Sequence, residues 1–242
     1  MKTVHFFIIT ISFLLMVQVT AAQEKSAGIR FGIPEYIYNI SEGNEEFKLM
    51  PAFFHPKIEA FYHSGINETI FWEGSFGYYE PGMSIGAEIM FFDELVTQHF
   101  SENHFKAISC SGSFGAQYNL LSDLYLGLQT GMSGDYYFDP TINSQNNGGW
   151  IGDTYTSSFI DENALRTNFN ILLNNRLSFI WKTGFNMNFS LSGAYYTGLF
   201  YTWKSKVYFK LAKSENSTVI YSPTLSSRGS YWLIDIGVAW VF

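Results

Sequence analysis

Apolar residues recur at every second position over much of this chain, and this alternation limits the possible fold more than any other feature. In residues 185–199 one face carries Phe185, Met187, Phe189, Leu191 and Tyr195. Residues 105–120, 124–135 and 165–181 repeat the pattern. A period of two is that of a β-strand, whose successive side chains point to opposite faces. The alternation therefore predicts an all-β chain.

The residues between the apolar positions decide which face lies inside. They are mostly Ser, Gly, Asn and Gln, which can fill a narrow interior, whereas a water-exposed sheet usually carries Lys, Glu and Thr. Charged residues make up 14% of the chain and aromatic residues 19%, and soluble domains usually contain about 25% charged residues. We therefore expect a closed barrel with its apolar face outward, because an open edge in lipid leaves backbone groups unpaired. A soluble periplasmic β-barrel or sandwich is the alternative, because it shows the same period.

Residues 1–22 have the three parts of a signal peptide. Lys2 precedes an apolar run over residues 6–19, and small residues follow at positions 20–22. The run is shorter than the ~20 residues that a membrane-spanning helix needs. We predict a cleaved signal peptide and one barrel domain over residues 23–242. Cys110 is the single cysteine, so an intrachain disulfide and a cysteine metal site are excluded.

The last segment, residues 230–242, has the most regular alternation. Its apolar face carries Trp232, Ile234, Ile236, Val238, Trp240 and Phe242. The segment resembles the C-terminal strand of bacterial outer-membrane proteins, which ends in Phe. The resemblance implies that Trp240 and Phe242 form a signal read by the barrel-assembly machinery.

The Tyr-, Gly- and Phe-rich remainder is similar to the small OmpA-type barrels, including those of Bacteroidetes-like envelopes. That similarity implies an antiparallel transmembrane β-barrel surrounded by lipid in the outer membrane of a Gram-negative bacterium.

The number of strands follows from the spacing of the alternating segments. Upstream segments lie near residues 47–63, 68–79 and 83–92, and a further piece covers residues 27–33. With the five segments already described this makes nine, whereas closed bacterial barrels have even numbers. Either residues 27–33 lie outside an eight-stranded barrel, which we predict, or a tenth strand exists at residues 206–211.

The links between these segments differ in length. Short links at residues 119–123 and 181–184 indicate periplasmic turns, and long polar links at 139–163 and 202–229 indicate outer loops.

Charged residues recur at positions that the alternation assigns to the lumen. They are Lys57, Glu59, Glu73, Glu88, Arg166, Arg176 and Asp235, joined by Arg30 if residues 27–33 form a strand. Acids and bases are nearly equal in number, and unpaired charge away from water is costly. We expect these side chains to pair and to seal the lumen. An aqueous channel or a ligand site is the alternative.

The two long loops combine amides, aromatic rings and lysines. The interaction candidates are Asn143, Asn147, Trp150, Tyr155, Lys204, Lys206 and Lys210. Amides and rings suit a protein or glycan partner, and the lysines could meet phosphates of the outer leaflet. Function on loops above a rigid scaffold is common.

Two sets of residues raise the question of chemistry. His63 and Ser64 could form a base and nucleophile of a lipid-modifying enzyme, but neighbours on a strand point to opposite faces. A second set has no spacing typical of a metal site: Asp93, Glu94, His99, Glu102 and His104. We therefore expect no catalysis, no cofactor and no metal.

The formal net charge is −7, and no basic tract is interleaved with aromatic residues, which argues against nucleic-acid binding. The predicted role is structural or loop-mediated interaction, with a narrow pore and a lipid-modifying enzyme as alternatives.

Overall fold

The computed structural model describes residues 24–37, 39–41, 56–91, 94–141, 147–151, 154–160, 165–212, 218–221 and 224–242. The predicted signal peptide, residues 1–22, lies outside the described residues. In chain order the described strands are β1 (Lys25–Tyr36), β2 (Asn39–Ser41), β3 (Lys57–Gly65), β4 (Ile70–Tyr79), β5 (Gly82–Phe91), β6 (Glu94–Leu121), β7 (Leu124–Thr141), β8 (Asn147–Ile151), β9 (Thr154–Ile160), β10 (Leu165–Arg166), β11 (Phe169–Lys182), β12 (Met187–Gly198), β13 (Trp203–Ala212), β14 (Thr218–Tyr221), β15 (Thr224–Ser227) and β16 (Tyr231–Val241). The described residues include no helix that is long and apolar enough to cross a membrane.

Eight of these strands form a closed antiparallel ring. Their order is β1, β3, β4, β6, β7, β11, β12 and β16, and β16 pairs with β1 to complete the circle. Each of the other seven pairs joins ring strands that are consecutive when the strands outside the ring are left out. The predicted eight-stranded antiparallel barrel is confirmed.

The alternating sequence determines which side chains face outward. On β16, Ile234 and Ile236 are 68% and 62% exposed, whereas Leu233 and Asp235, each of which immediately precedes one of them, are 3% and 2% exposed. The same alternation of buried and exposed residues runs along β11. The apolar face is therefore the outer surface of the ring, and the small polar residues face its lumen.

The register of the ring fixes its tilt. Starting at Glu35 on β1 and following paired residues around all eight strands, the path returns to β1 at Lys25, ten residues away. A shear of ten over eight strands corresponds to a strand tilt of about 40°. A barrel of this size has a lumen that side chains can fill.

Three predicted segments occupy different places from those expected. Residues 27–33 belong to β1 and are part of the ring. The segment near 83–92 forms β5, which pairs only with the N-terminal part of β6, opposite residues 94–104. This hairpin extends beyond the ring. The candidate tenth strand at 206–211 belongs to β13, which pairs with β9, β10, β14 and β15 and also lies outside the ring.

The ring has one edge with short turns and one with long connections. Residues 66–69, 122–123 and 183–186 make the turns. The predicted short links at 119–123 and 181–184 fall on two of them, although the strands extend further into the links than expected. Both described chain ends lie at this edge, where the Gly65 and Phe242 amides donate to the Glu24 and Lys25 carbonyls, each at 2.9 Å. Short turns face the periplasm in outer-membrane barrels.

The long connections at the other edge are not irregular loops where they are described. They contribute β2, β8, β9, β10, β13, β14 and β15, which pair into a seven-stranded sheet. We call it the outer sheet. It joins parts of the first, third and fourth long connections, so these segments form one structure at the mouth of the ring.

Candidate functional site

Oppositely charged side chains fill the middle of the lumen. Arg30 binds the Glu73 carboxylate through both terminal nitrogens, at 2.6 and 2.5 Å. Its Nη1 also lies 3.2 Å from Glu59 Oε1. Arg30 and Glu59 are cross-strand partners on β1 and β3, and the arginine carbon Cζ lies 3.8 Å from the centre of the Phe61 ring.

Glu59 links this pair to the rest of the charges. Lys57 Nζ lies 3.2 Å and Arg176 Nη2 3.5 Å from its carboxylate oxygens. Arg176 Nη1 contacts Asp235 Oδ2 at 2.6 Å. All the side chains involved are at most 8% exposed. Three cations and three anions thus form one buried, charge-balanced network.

Four tyrosines close the lumen on the side of the outer sheet, and the sequence reasoning did not identify them. Tyr196 and Tyr231 stack with ring centres 4.4 Å apart, and Tyr36 lies 5.4 Å from Tyr231 and 6.4 Å from Tyr79. Lys57 Nζ donates to the Tyr231 hydroxyl at 3.1 Å. Their positions in the sequence could have indicated this, because each tyrosine occupies an inward position in the alternation of its strand.

Hydroxyl and amide groups occupy the remaining inner face. Ser109 and Ser133 lie 3.1 Å apart, and the Ser178 hydroxyl donates to Ser192 at 3.0 Å. Toward the turn edge a cavity of about 40 Å³ remains, lined among others by His63 and Gln129. It has room for a few water molecules. These contacts fill the described lumen at the level of the charges.

The outer wall presents a continuous apolar surface. Large exposed side chains occur on every strand of the ring, among them Phe31, Ile58, Phe76, Phe114, Leu128, Leu177, Leu191 and Ile236. Exposed aromatic side chains lie near both edges of this wall, with Tyr118, Trp181 and Trp240 toward the turn edge and Tyr78 and Trp232 toward the mouth. Such a surface requires lipid around it, because without lipid these apolar side chains would be exposed to water on all sides of the ring, which is unfavourable.

Comparison with a solved structure shows the same fold. The outer membrane protein OprG from Pseudomonas aeruginosa matches with a TM-score of 0.51 and 10% identity, over 91% of this chain and 96% of that one. Two further matches have lower TM-scores. Ail of Yersinia pestis matches with a TM-score of 0.43 and 11% identity, over 91% of this chain and 100% of that chain. Neisserial surface protein A matches with a TM-score of 0.40 and 12% identity, over 92% of this chain and 100% of that chain. No protein-family model matches the sequence, and a search of curated proteins finds no match.

The closed ring, its apolar wall and the shared fold lead to one conclusion. The chain is an outer-membrane β-barrel. Its relation to barrels of Bacteroidetes-like envelopes stays a prediction.

Two of the predicted lumen charges of the barrel lie elsewhere. Glu88 is on β5, opposite Thr97 of β6, and Arg166 is on β10, opposite Trp203 of β13. Both strands lie outside the ring, so neither residue lines its inner face. Alternation predicts a strand at both places, but it places Arg166 in one strand with residues 169–181, which the structure assigns to β11. It also cannot show that β5 and β10 pair outside the ring. Lys57, Glu59, Glu73, Arg176, Asp235 and Arg30 are the charges that the ring brings together.

The candidate interaction residues fall on the outer sheet where they are described. Lys204, Lys206 and Lys210 all lie on β13, in which Lys204 and Lys210 are an even number of residues apart and so share one face of the strand. Lys204 and Lys210 are exposed. Asn147 and Trp150 lie on β8 and Tyr155 on β9, in which Trp150 and Tyr155 are cross-strand partners. Asn143 lies outside the described residues.

The predicted assembly residues lie on the closing strand of the barrel. Trp240 is 53% and Phe242 71% exposed, and the Phe242 ring lies 6.4 Å from that of Tyr62 on β3. They therefore face outward at the turn edge, beside the seam between β16 and β1.

The residues weighed for chemistry do not form a catalytic arrangement in the described structure. His63 and Ser64 are neighbours near the turn end of β3. The His63 ring packs on Phe71 with ring centres 4.4 Å apart.

The second set of candidates lies on the hairpin outside the ring. Glu94, His99, Glu102 and His104 lie on the N-terminal part of β6, and Asp93 lies outside the described residues. Among the described residues no group of three or more His, Cys, Asp or Glu is placed to hold a metal ion.

Proposed function

We propose that the barrel is a non-catalytic, non-conducting scaffold that holds the outer sheet above the membrane for contact with a protein or glycan partner. The observation that carries this proposal is the contrast between a filled lumen and an organised mouth. The wall and plug supply rigidity, and the outer sheet supplies the surface that can vary without disturbing them.

The charge network supports the absence of conduction. Glu59 contacts Arg30, Arg176 and Lys57 at 3.2–3.5 Å, and four tyrosine rings lie on its outer side. An ion crossing the lumen would have to break these contacts, which are strong because water is excluded from them.

The pairing of the outer sheet supports the interaction role. The third and fourth connections pair through β13, which binds β9, β10, β14 and β15, and the first connection joins them through the pairing of β2 with β15. Such pairing gives a defined surface rather than a set of independent loops. The exposed Lys204 and Lys210 on one face suit a partner with phosphate or carboxylate groups.

The narrow pore is the second candidate, favoured by the Ser- and Asn-rich inner face and the cavity on the turn side. Purified barrel in planar lipid bilayers distinguishes the two functions. We expect no steady single-channel current. A steady current of uniform step size would contradict the proposed plug.

Partner contact is tested by removing part of the outer sheet. In one variant a short Gly/Ser link replaces residues 142–164, which removes β8 and β9. The matched control replaces residues 82–104, which removes the β5–β6 hairpin outside the ring and leaves the outer sheet intact. Both variants should give folded, heat-modifiable barrels. Chemical crosslinking on cells should capture a partner with the intact barrel and the control only, and equal capture by both variants would contradict the proposal.

A lipid-modifying activity would rest on His63 and Ser64 alone. Mass spectrometry of lipid A from a deletion strain should match that of its parent strain. A changed acylation pattern that the intact gene restores would overturn the non-catalytic assignment.

A further inference from the structure

Two neighbouring polar side chains, Asn175 on β11 and the exposed Thr130 on β7, interrupt the apolar outer wall at mid-height. On β11 the outward residues Leu173, Leu177 and Phe179 are all exposed. Asn175 occupies the outward position between the two leucines and is also exposed. Its amide therefore points toward lipid, in the middle of an otherwise apolar row.

The depth of Asn175 follows from the geometry of the ring. It lies six residues from Phe169 at one end of β11 and six from Trp181 at the other. At a tilt of about 40° each strand residue advances about 2.5 Å along the barrel axis, so each distance is about 15 Å. The apolar band of an outer-membrane barrel is about 25 Å tall. Asn175 is therefore near the centre of the hydrocarbon layer.

The Asn175 side chain makes no hydrogen bond to any other described residue. Its cross-strand neighbour Thr130 donates its hydroxyl to the Asn174 carbonyl at 3.4 Å. Water is absent at this depth, and an acyl tail has no hydrogen-bonding group. An unpaired amide there is unfavourable, so its natural partner is a polar group on another protein surface in the same membrane.

A groove lies beside this amide. It has a volume of about 580 Å³ and is lined among others by Leu128, Leu177, Gly193, Tyr195 and Trp232. Gly193 faces outward, and a Cβ atom at this position would meet no atom within 4 Å. A glycine at a membrane-embedded surface allows two backbones to approach closely.

We propose that this groove is the contact between two copies of this chain in the membrane, related by a twofold axis that passes close to Asn175. An amide both donates and accepts, so the two Asn175 side chains can satisfy each other across such an axis. The twofold arrangement also lets the same groove occur on both partners. We call this surface the Asn175 groove.

The available area is compatible with this contact. The Asn175 groove crosses β6, β7, β11, β12 and β16, and five strands about 6 Å apart around the barrel offer about 750 Å² within the apolar band. Two such surfaces give on the order of 1,500 Å², which is within the range for specific interfaces.

Disulfide crosslinking in native outer membranes tests the position of the axis. In a Cys110→Ser background, Leu177→Cys places a thiol beside Asn175, and Ala60→Cys places one at an exposed position on β3, across the ring. Oxidation should convert the Leu177→Cys barrel to a covalent dimer. The Ala60→Cys barrel should remain monomeric. Equal crosslinking of both, or of neither, would overturn the proposal.

Association is then measured in lipid with the full mature chain. Single-molecule photobleaching gives the dimer fraction at a series of protein-to-lipid ratios, and from it the apparent dimerisation affinity. Asn175→Leu should lower this affinity by about tenfold. Gly193→Leu, which fills the Asn175 groove, should act in the same direction. Gly74→Leu is the matched control on β4, where a Cβ meets only ordinary contacts, the nearest being the Trp72 ring at 3.5 Å.

The controls separate a lost contact from a lost fold. All variants should keep heat-modifiable migration on gels, since the substitutions lie on the outer face. A wild-type barrel that is monomeric at every ratio, or an Asn175→Leu barrel that dimerises like wild type, would overturn the proposal.

Discussion

Glu59 is the residue on which the lumen network depends most directly. Its carboxylate contacts three cations that come from three different strands, Lys57 on its own strand, Arg30 on β1 and Arg176 on β11. Asp235 and Glu73 each contact one end of this arrangement. Removing an outer member therefore leaves a single cation without its strongest partner and keeps the centre intact.

The first prediction concerns Asp235→Asn. The substitution removes the charge that lies 2.6 Å from Arg176, and we expect it to lower the free energy of unfolding by about 3–5 kcal/mol, because a buried charge is left uncompensated. Urea titration of the barrel in detergent measures the change.

The matched control for this prediction is Glu24→Gln. It breaks the pair with Lys182 at the turn edge, whose side chains are 31% and 20% exposed, and should change stability by about 1 kcal/mol or less. Equal, small effects of both substitutions would mean that the lumen is wet, which favours the narrow pore.

Inward and outward glycines should respond differently to a methyl group. A Cβ at the inward Gly131 would lie 2.3 Å from the Gly112 carbonyl oxygen and 2.4 Å from the Ser113 Cβ, whereas a Cβ at the outward Gly112 would meet nothing within 4 Å. We expect Gly131→Ala to destabilise the barrel by about 1–3 kcal/mol and Gly112→Ala to have little effect. The same urea titration tests this, and the opposite ranking would contradict the packing described for the inner face.

Individual residue positions could be predicted from the sequence only as far as the alternation reaches. Asp235 and Arg176 were assigned inward because their neighbours are apolar and outward. Their contact depends on the shear of the closed ring, which no local pattern contains. The tyrosines were missed because a Tyr suits a membrane interface and a packed lumen equally well.

At the scale of elements, the closing strand β16 has the widest influence. It pairs with β1 on one side and β12 on the other, and its last amide, Phe242 N, donates to the Lys25 carbonyl at 2.9 Å. The residues that resemble an assembly signal, Trp240 and Phe242, are therefore also residues at the seam that closes the ring.

The third prediction is that deletion of Phe242 reduces the amount of folded barrel in the outer membrane. The deletion removes the final seam hydrogen bond and the aromatic end of the proposed signal. Immunoblots of unheated and heated samples measure folded and total protein.

Phe185→Ala is the control for this deletion, because Phe185 is 88% exposed in the turn between β11 and β12 and belongs to no seam. It should leave the folded amount unchanged. An unaltered level of folded protein after deletion of Phe242 would contradict the assembly role.

The elements show where the alternation stops being informative. Residues 27–33 and 83–92 alternate similarly, yet one segment belongs to the ring and the other to a hairpin above it. Alternation identifies a strand, but its partner depends on pairing between distant segments. Residues 206–211 were weighed as a tenth strand, whereas the outer-sheet strands within 147–160 and 218–227 fall in links that the sequence predicts as loops. These short segments form only where three connections meet.

At the scale of the whole molecule, the barrel combines a lipid-facing wall with a polar interior. This is the inverse of a soluble β-barrel, and it makes the surrounding solvent part of the fold. Ile234, Ile236 and Phe242 are each more than 60% exposed, which is stable only in contact with lipid.

The fourth prediction follows from this inversion. Sodium carbonate extraction should leave the barrel in the membrane pellet, because the wall is buried in hydrocarbon. Released protein would support the alternative of a soluble periplasmic barrel.

The seam between β1 and β16 also has a consequence for the order of events during folding. Seven of the eight pairings join consecutive strands of the ring, whereas Ser26 must find Val241 at the far end of the chain. The last strand of the ring in chain order is therefore the one that the first strand needs. Until it arrives, the free edge of β1 remains a template for wrong partners, and contacts between such distant residues form slowly. The interval before closure, rather than the finished barrel, is when this chain is most vulnerable to aggregation.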